Sequence, residues 1–258
     1  MFLKSEATLI KPLIAGNWKM YKTPSEAESF ALELKKVPQQ NDRDVLVCVP
    51  FPAVVVVSRI LKGSGIFVGA QNVYPAREGA FTGEVSPLMI KDAGASFVIC
   101  GHSERRQIFN ETDQFISDKV NIVVECGMIP ILCVGETLQQ NEEGKTFSVV
   151  ENQLKIGLQH ISSSFINNVV IAYEPVWAIG TGKNASPQQA QQVHSFIKSV
   201  LEEIYGESSR TVRVLYGGSV KPENIDELMA QPDINGVLVG GASLKIESFS
   251  RIISFKKN

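Results

Sequence analysis

Short apolar runs recur along the chain at intervals too wide for hairpins. Eight stand out: Leu13–Ala15, Val45–Val49, Ile66–Ala70, Phe97–Cys100, Ile129–Cys133, Val169–Ala172, Val212–Leu215 and Val237–Val239. None shows strict apolar/polar alternation, so they read as strands covered on both faces, as in a parallel sheet. Between them the apolar positions fall back to helical spacing. In Ser186–Tyr205, Ala190, Val193, Ile197, Val200, Leu201 and Ile204 share one stripe, opened by a Ser186 cap and Pro187 at the first helical position. The stretch from Pro24 to Val37 puts Ala27, Phe30, Ala31 and Leu34 on an inner face, and Pro222–Ala230 has the same proline start.

Eight strands alternating with helices, without a linker or low-complexity stretch, predict one (β/α)8 barrel domain over residues 1–258. A doubly wound open sheet is the alternative. Against it, the turn after the first strand is Gly16-Asn17-Trp18-Lys19, which is no dinucleotide fingerprint. Gly182-Lys183 is no phosphate loop either, because the upstream glycine is missing and Asn184 follows.

Composition changes this picture little. The chain has 258 residues, 44% hydrophobic and 20% charged, enough for the core of a barrel of this class. A formal net charge of −2 gives no reason to expect a nucleic-acid or membrane partner. The longest apolar run, Val45 to Val57, is 13 residues with two prolines, against roughly 20 for a membrane span. The first residues lack a secretory apolar region, and the expected location is cytoplasmic. Cys48, Cys100, Cys126 and Cys133 form no C-x-x-C pair and read as free buried thiols in a reducing compartment.

In a barrel the carboxyl ends of all strands share one mouth, and the unusual residues collect there. Asn17 and Lys19 follow the first strand, His102 and Glu104 the fourth, Glu174 the sixth, Ser219 the seventh, and Gly240 and Gly241 the eighth. No G-x-S-x-G or H-E-x-x-H motif supports esterase or zinc-protease chemistry. A carboxylate, an imidazole and an ammonium suit proton abstraction beside a carbonyl, with the latter two stabilising the oxyanion. Gly180, Ser219, Gly240 and Gly241 can turn backbone N–H groups toward one anion, and "GASLKIESF" begins a short helix whose amino end favours phosphate. The expected substrate is a small phosphorylated carbonyl compound, with Glu174 as base. The segment behind Glu174 reads as a lid: 175–177 a stiff hinge carrying an exposed-looking Trp177, 178–182 a tip, 183–185 a second hinge.

Seven motifs, "AGNWKM" (15–20), "GAQNVYPAREGAFTGEVSP" (69–87), "CGHSERR" (100–106), "ILCVGE" (131–136), "AYEPVWAIGTGK" (172–183), "YGGSVKPEN" (216–224) and "NGVLVGGASL" (235–244), closely resemble the triosephosphate isomerase family. That resemblance spans nearly the whole chain and implies a TIM barrel. It implies interconversion of dihydroxyacetone phosphate and D-glyceraldehyde 3-phosphate, in glycolysis and gluconeogenesis, without metal or organic cofactor. By motif, Glu174 matches the general base, His102 the electrophile, and Lys19 the substrate-binding cation. Asn17 should touch the same ligand, and Gly180, Ser219, Gly240 and Gly241 match the phosphate cradle. Glu104 matches the carboxylate that orders Lys19, with a scaffold ion pair as its alternative. Tyr216 and Ser219 match partners of a closed lid, and Cys133 a cysteine packed near the base. Ser103 belongs with the helix start and has no base arranged to make it a nucleophile.

The 71–87 loop matches one that inserts Thr82 into a neighbouring subunit near Asn17 and Lys19. A homodimer is the implied form, since Phe81 and Val85 would otherwise lie exposed. The second hinge departs from the family: Asn184 stands where Thr or Val is more frequent. Two other classes stay open. One is another phosphate-binding barrel enzyme, such as an amino-acid-pathway isomerase or an aldolase; the other is a non-catalytic barrel that has kept its fold.

Overall fold

Aliphatic and β-branched residues in runs of four to six leave the backbone no polar side chain to pair with, so the strands pair with one another. The computed structural model describes residues 10–178 and 185–256. In it β1 (Leu13–Asn17), β2 (Asp44–Val49), β3 (Ile66–Ala70), β4 (Phe97–Cys100), β5 (Ile129–Val134), β6 (Val170–Tyr173), β7 (Arg213–Tyr216) and β8 (Gly236–Val239) pair in parallel in chain order, and β8 closes on β1. This is the expected (β/α)8 TIM barrel.

Two apolar layers follow from the period of two along each strand. Leu13, Ala15, Leu46, Cys48, Phe97, Ile99, Ile131, Cys133, Val170, Ala172, Leu215 and Leu238 fill the barrel. Residues of opposite parity, among them Ile14, Val45, Val98, Ile171 and Val214, pack outward against the helices.

The helix Pro187–Tyr205 opens as expected, with a capping box between Ser186 and Gln189. Ile204 is not on its buried face. The inward place in the last turn goes to Tyr205, whose hydroxyl donates to the carbonyls of Leu158 (3.0 Å) and Ile161 (3.1 Å), and Ile204 is exposed. The first helix, Pro24–Leu34, stops before Val37 because Pro38 disfavours helical geometry in the residue ahead of it. Pro222 starts no helix. Asn224 accepts the Lys221 amide at 2.8 Å in a local turn, and the helix runs Ile225–Met229. Among the described residues no helix is long and apolar enough to cross a membrane.

Candidate active site

The inward rows of the strands carry the site. Leu13 and Ala15 are followed at the mouth by Asn17, Val170 and Ala172 by Glu174, Leu215 by Gly217, and Leu238 by Gly240. A position of the right parity one step past the last buried aliphatic faces the mouth rather than the core.

Glu174 is only 2% exposed. Its amide donates to the Val134 carbonyl at 2.8 Å, tying the end of β6 to β5. Oε2 accepts the Ser103 amide at 2.8 Å, and Oε1 lies 3.0 Å from His102 Nε2. Gly135 makes this approach possible, because a Cβ there would sit 1.8 Å from the Glu174 carbonyl oxygen.

His102 caps the helix Ser103–Gln107, and its Nδ1 accepts the Glu104 amide at 3.2 Å. An amide only donates, so Nδ1 carries a lone pair and the ring proton sits on Nε2, aimed at Glu174. Glu104 Oε2 lies 3.4 Å from Nδ1, two acceptors facing each other, which is no bond in this tautomer. Arg106 fixes the turn beneath His102, donating to the carbonyls of Gly101 (2.8 Å) and Cys133 (3.0 Å).

Lys19 has φ 51°, the left-handed region that non-glycine residues avoid. Its amide donates to Asn17 Oδ1 at 3.0 Å, and its Nζ pairs with Glu104 Oε1 at 2.6 Å. The strained backbone thus serves to aim the ammonium across the mouth toward β4. A cavity of about 570 Å³ brings together Asn17, Lys19, His102, Glu174, Ser219, Gly240 and Gly241. Glu104 lines an adjoining cleft of about 320 Å³ that shares Asn17, Lys19 and His102. Gly180, with Lys183 and Asn184 of the second hinge, lies outside the described residues.

Behind the site, Trp177 is half-buried rather than exposed, because its indole N–H donates to Glu136 at 2.8 Å. The fully buried Glu136 also accepts the Tyr173 hydroxyl at 3.2 Å and the Asn141 amide at 3.1 Å. Cys133 is buried; burial first, then the Glu174 charge, pushes its thiol well above the usual range, which removes it as a nucleophile. Sequence reading overlooked Glu136, Arg106, Gly135 and the amide of Ser103. The motifs "ILCVGE" and "CGHSERR" contain all four, yet nothing in local pattern says that Gly135 admits another strand's backbone.

Fold and mouth together define a (β/α)8-barrel enzyme in which acid–base side chains border a glycine-lined pocket. The family model for triosephosphate isomerase matches residues 12–256. The triosephosphate isomerase of Syntrophotalea carbinolica is 53% identical over 248 residues, 95% of this chain and 98% of that one. That of Carboxydothermus hydrogenoformans is 55% identical over 245 residues, covering 94% and 98%. The chain belongs to the triosephosphate isomerase family.

Proposed function

We propose that Glu174 is the general base with which this chain interconverts dihydroxyacetone phosphate and D-glyceraldehyde 3-phosphate, in glycolysis and gluconeogenesis. Its carboxylate takes a proton from the carbon beside the carbonyl, and the C–H electrons move to give an enediolate. His102 Nε2–H and the Lys19 ammonium stabilise the oxygen where charge develops. Glu174 returns the proton to the neighbouring carbon, while His102 moves a proton between the two oxygens. A glutamate base beside a neutral histidine is the known pattern of this family; the lone pair that Nδ1 presents to the Glu104 amide supports it here.

The resting contacts are consistent with this order of events. Substrate has to take the imidazole N–H from Glu174, and the same N–H then serves the substrate oxygen. Ser219, Gly240 and Gly241, with Gly180, hold the phosphate. Glycine leaves that space open: a Cβ at Gly240 would meet only Lys19 Cε, at 3.5 Å, and one at Gly241 nothing within 4 Å. Asn17 and Lys19 bind the triose, and Glu104 orders Lys19 through the 2.6 Å pair. The reaction uses only the chain's own groups, without cofactor or metal.

The observation that carries the reading is the 3.0 Å approach of a buried carboxylate to an imidazole N–H beside the open pocket. A coupled assay for glyceraldehyde 3-phosphate tests it. Glu174→Gln should lower kcat by about 10²–10⁴, and a variant within about threefold of the parent refutes the assignment.

The chain acts as one domain and as a homodimer, with the 71–87 loop placing Thr82 near the partner's mouth. In support, Met20 beside Lys19 is 95% exposed, Phe81 and Phe109 are exposed, and the 320 Å³ cleft opens beside them. A cytoplasmic location fits four buried, unpaired cysteines.

A further inference from the structure

Gln153 belongs to the helix Thr146–Gly157, between the buried Val150 and the buried Leu154 on its inner face. Helical spacing therefore turns a polar side chain toward the barrel wall. The helix comes close to β5 here: a Cβ on Gly157 would lie 2.8 Å from Leu132 Cδ2. From this position the carboxamide reaches the turn after β5. Its Oε1 accepts the Gly135 amide at 2.7 Å, and its Nε2 donates to the Gly135 carbonyl at 3.3 Å. A carboxamide carries an acceptor and a donor side by side, matching the N–H and C=O of one residue.

Gly135 needs such a partner. The Val134 carbonyl turns toward β6, where the Glu174 amide donates to it at 2.8 Å, so the polar groups of Gly135 turn away from β6. On that other side the β4–β5 register ends at Cys100 and Leu132. Beyond it, side chains continue the ladder: Arg106 donates to the Cys133 carbonyl at 3.0 Å, and Gln153 pairs with Gly135. Gly135 is buried, where an unpaired N–H or C=O is unfavourable.

The base rests on this turn. The Glu174 carbonyl packs on Gly135 so closely that no Cβ fits between them, and the Glu136 carbonyl accepts the Val176 amide at 3.2 Å. On the β7 side, a Cβ on Gly217 would come within 2.9 Å of Glu174 Cγ, and the Gly217 amide donates to the Tyr173 carbonyl at 2.7 Å. Glu174 thus lies between two glycines. Gly217 is bonded to β6 itself, whereas Gly135 is held from the far side by a helix.

We propose that Gln153 is a positioning residue for Glu174: its carboxamide replaces the sheet neighbour that Gly135 lacks and fixes the turn on which the backbone of the base rests. Without it Gly135 turns to another partner, and the Glu174 carboxylate shifts against His102 and the Ser103 amide. The kinetic part of the inference rests on the reading of Glu174 given above.

The first test reads geometry without turnover. The Gly135 and Ser103 amide signals are followed in the 15N-labelled full chain, in the parent and in Gln153→Met, which keeps the length but has no carboxamide. Gly135 should exchange with solvent about tenfold faster in the variant. Ser103, which donates to Glu174 Oε2, should shift toward its position in Glu174→Ala. Gln153→Asn, whose amide falls one methylene short, should give the same changes and serves where Gln153→Met does not fold. A Ser103 signal that keeps its parental position overturns the positioning role.

In a coupled assay Gln153→Met should lower kcat about tenfold with KM within about twofold, because a displaced base slows the chemical step and leaves binding alone. The dissociation constant of inorganic phosphate should also stay within about twofold, a quantity that general loosening of the mouth would move. Gln153→Glu, which keeps an acceptor for the Gly135 amide, should fall between the parent and Gln153→Met. A kcat within about twofold of the parent's, a matching loss of phosphate affinity, or a glutamate variant as slow as the methionine one overturns the proposal. A parent that turns over triose phosphate while Glu174→Gln does not leaves the base assigned whatever Gln153 does. If Glu174→Gln turns over like the parent, the base is misassigned, and the Ser103 signal still decides whether Gln153 places that carboxylate.

Discussion

Glu174 reaches the mouth because it has the parity of Val170 and Ala172, and the same rule places Asn17 after Leu13 and Ala15. Both could be read from the sequence, since a strand's period is local. Gly135 could not. Its neighbour is the backbone of another strand, and Gly135→Ala would force a Cβ to within 1.8 Å of the Glu174 carbonyl oxygen. That substitution should cost on the order of 3 kcal/mol, seen as a lower urea midpoint or as failure to accumulate folded protein. An alanine variant as stable as the parent would mean that the β5–β6 end is looser than described. Glu136 was hidden for a related reason: a carboxylate after a strand looks solvated until Tyr173, Trp177 and Asn141 converge on it.

The strand bounds expected from apolar runs fall within one or two residues of those found, because burial on both faces leaves an unbroken aliphatic signature. Helix starts were legible where a side chain caps the backbone locally. Ser186 and Gln189 bond each other's amides, and this cap begins the helix that returns the chain after Glu174. Ser186→Ala should lower stability by about 1 kcal/mol in urea titrations. Proline proved a weaker sign: Pro187 opens a helix and Pro222 lies in a turn, since Asn224 captures the Lys221 amide first. Ile204 shows the limit of periodicity, which marks a stripe but not where along a helix the neighbouring layer ends.

For the whole molecule, His194 sets an acid limit. Folded, it stays neutral down to about pH 3; unfolded, it takes a proton near 6.5. Between those values the unfolded chain binds more protons, so stability is lost as pH falls, at about 1.4 kcal/mol per pH unit. Urea midpoints at pH 7, 6 and 5 should drop more steeply for the parent than for His194→Phe; parallel lines would place the acid lability elsewhere. Association is the other property at this scale. Thr82→Arg, at the exposed loop, should sediment near the 28.3 kDa of one chain and lose activity. A variant that sediments and turns over like the parent removes the dimer proposal.

The sequence by itself determined the barrel, its strand order and the identity of the groups at its mouth. Strand parity, capping and chain-order pairing depend on neighbours a few residues apart, and the family motifs repeat them. Only the tertiary structure decided which nitrogen of His102 carries the proton, that Ser103 and His102 grip both oxygens of Glu174, and that His194 is buried against two tyrosine rings. Hydrogen bonds and burial of that kind form between residues far apart in the chain, and no local pattern encodes a distance.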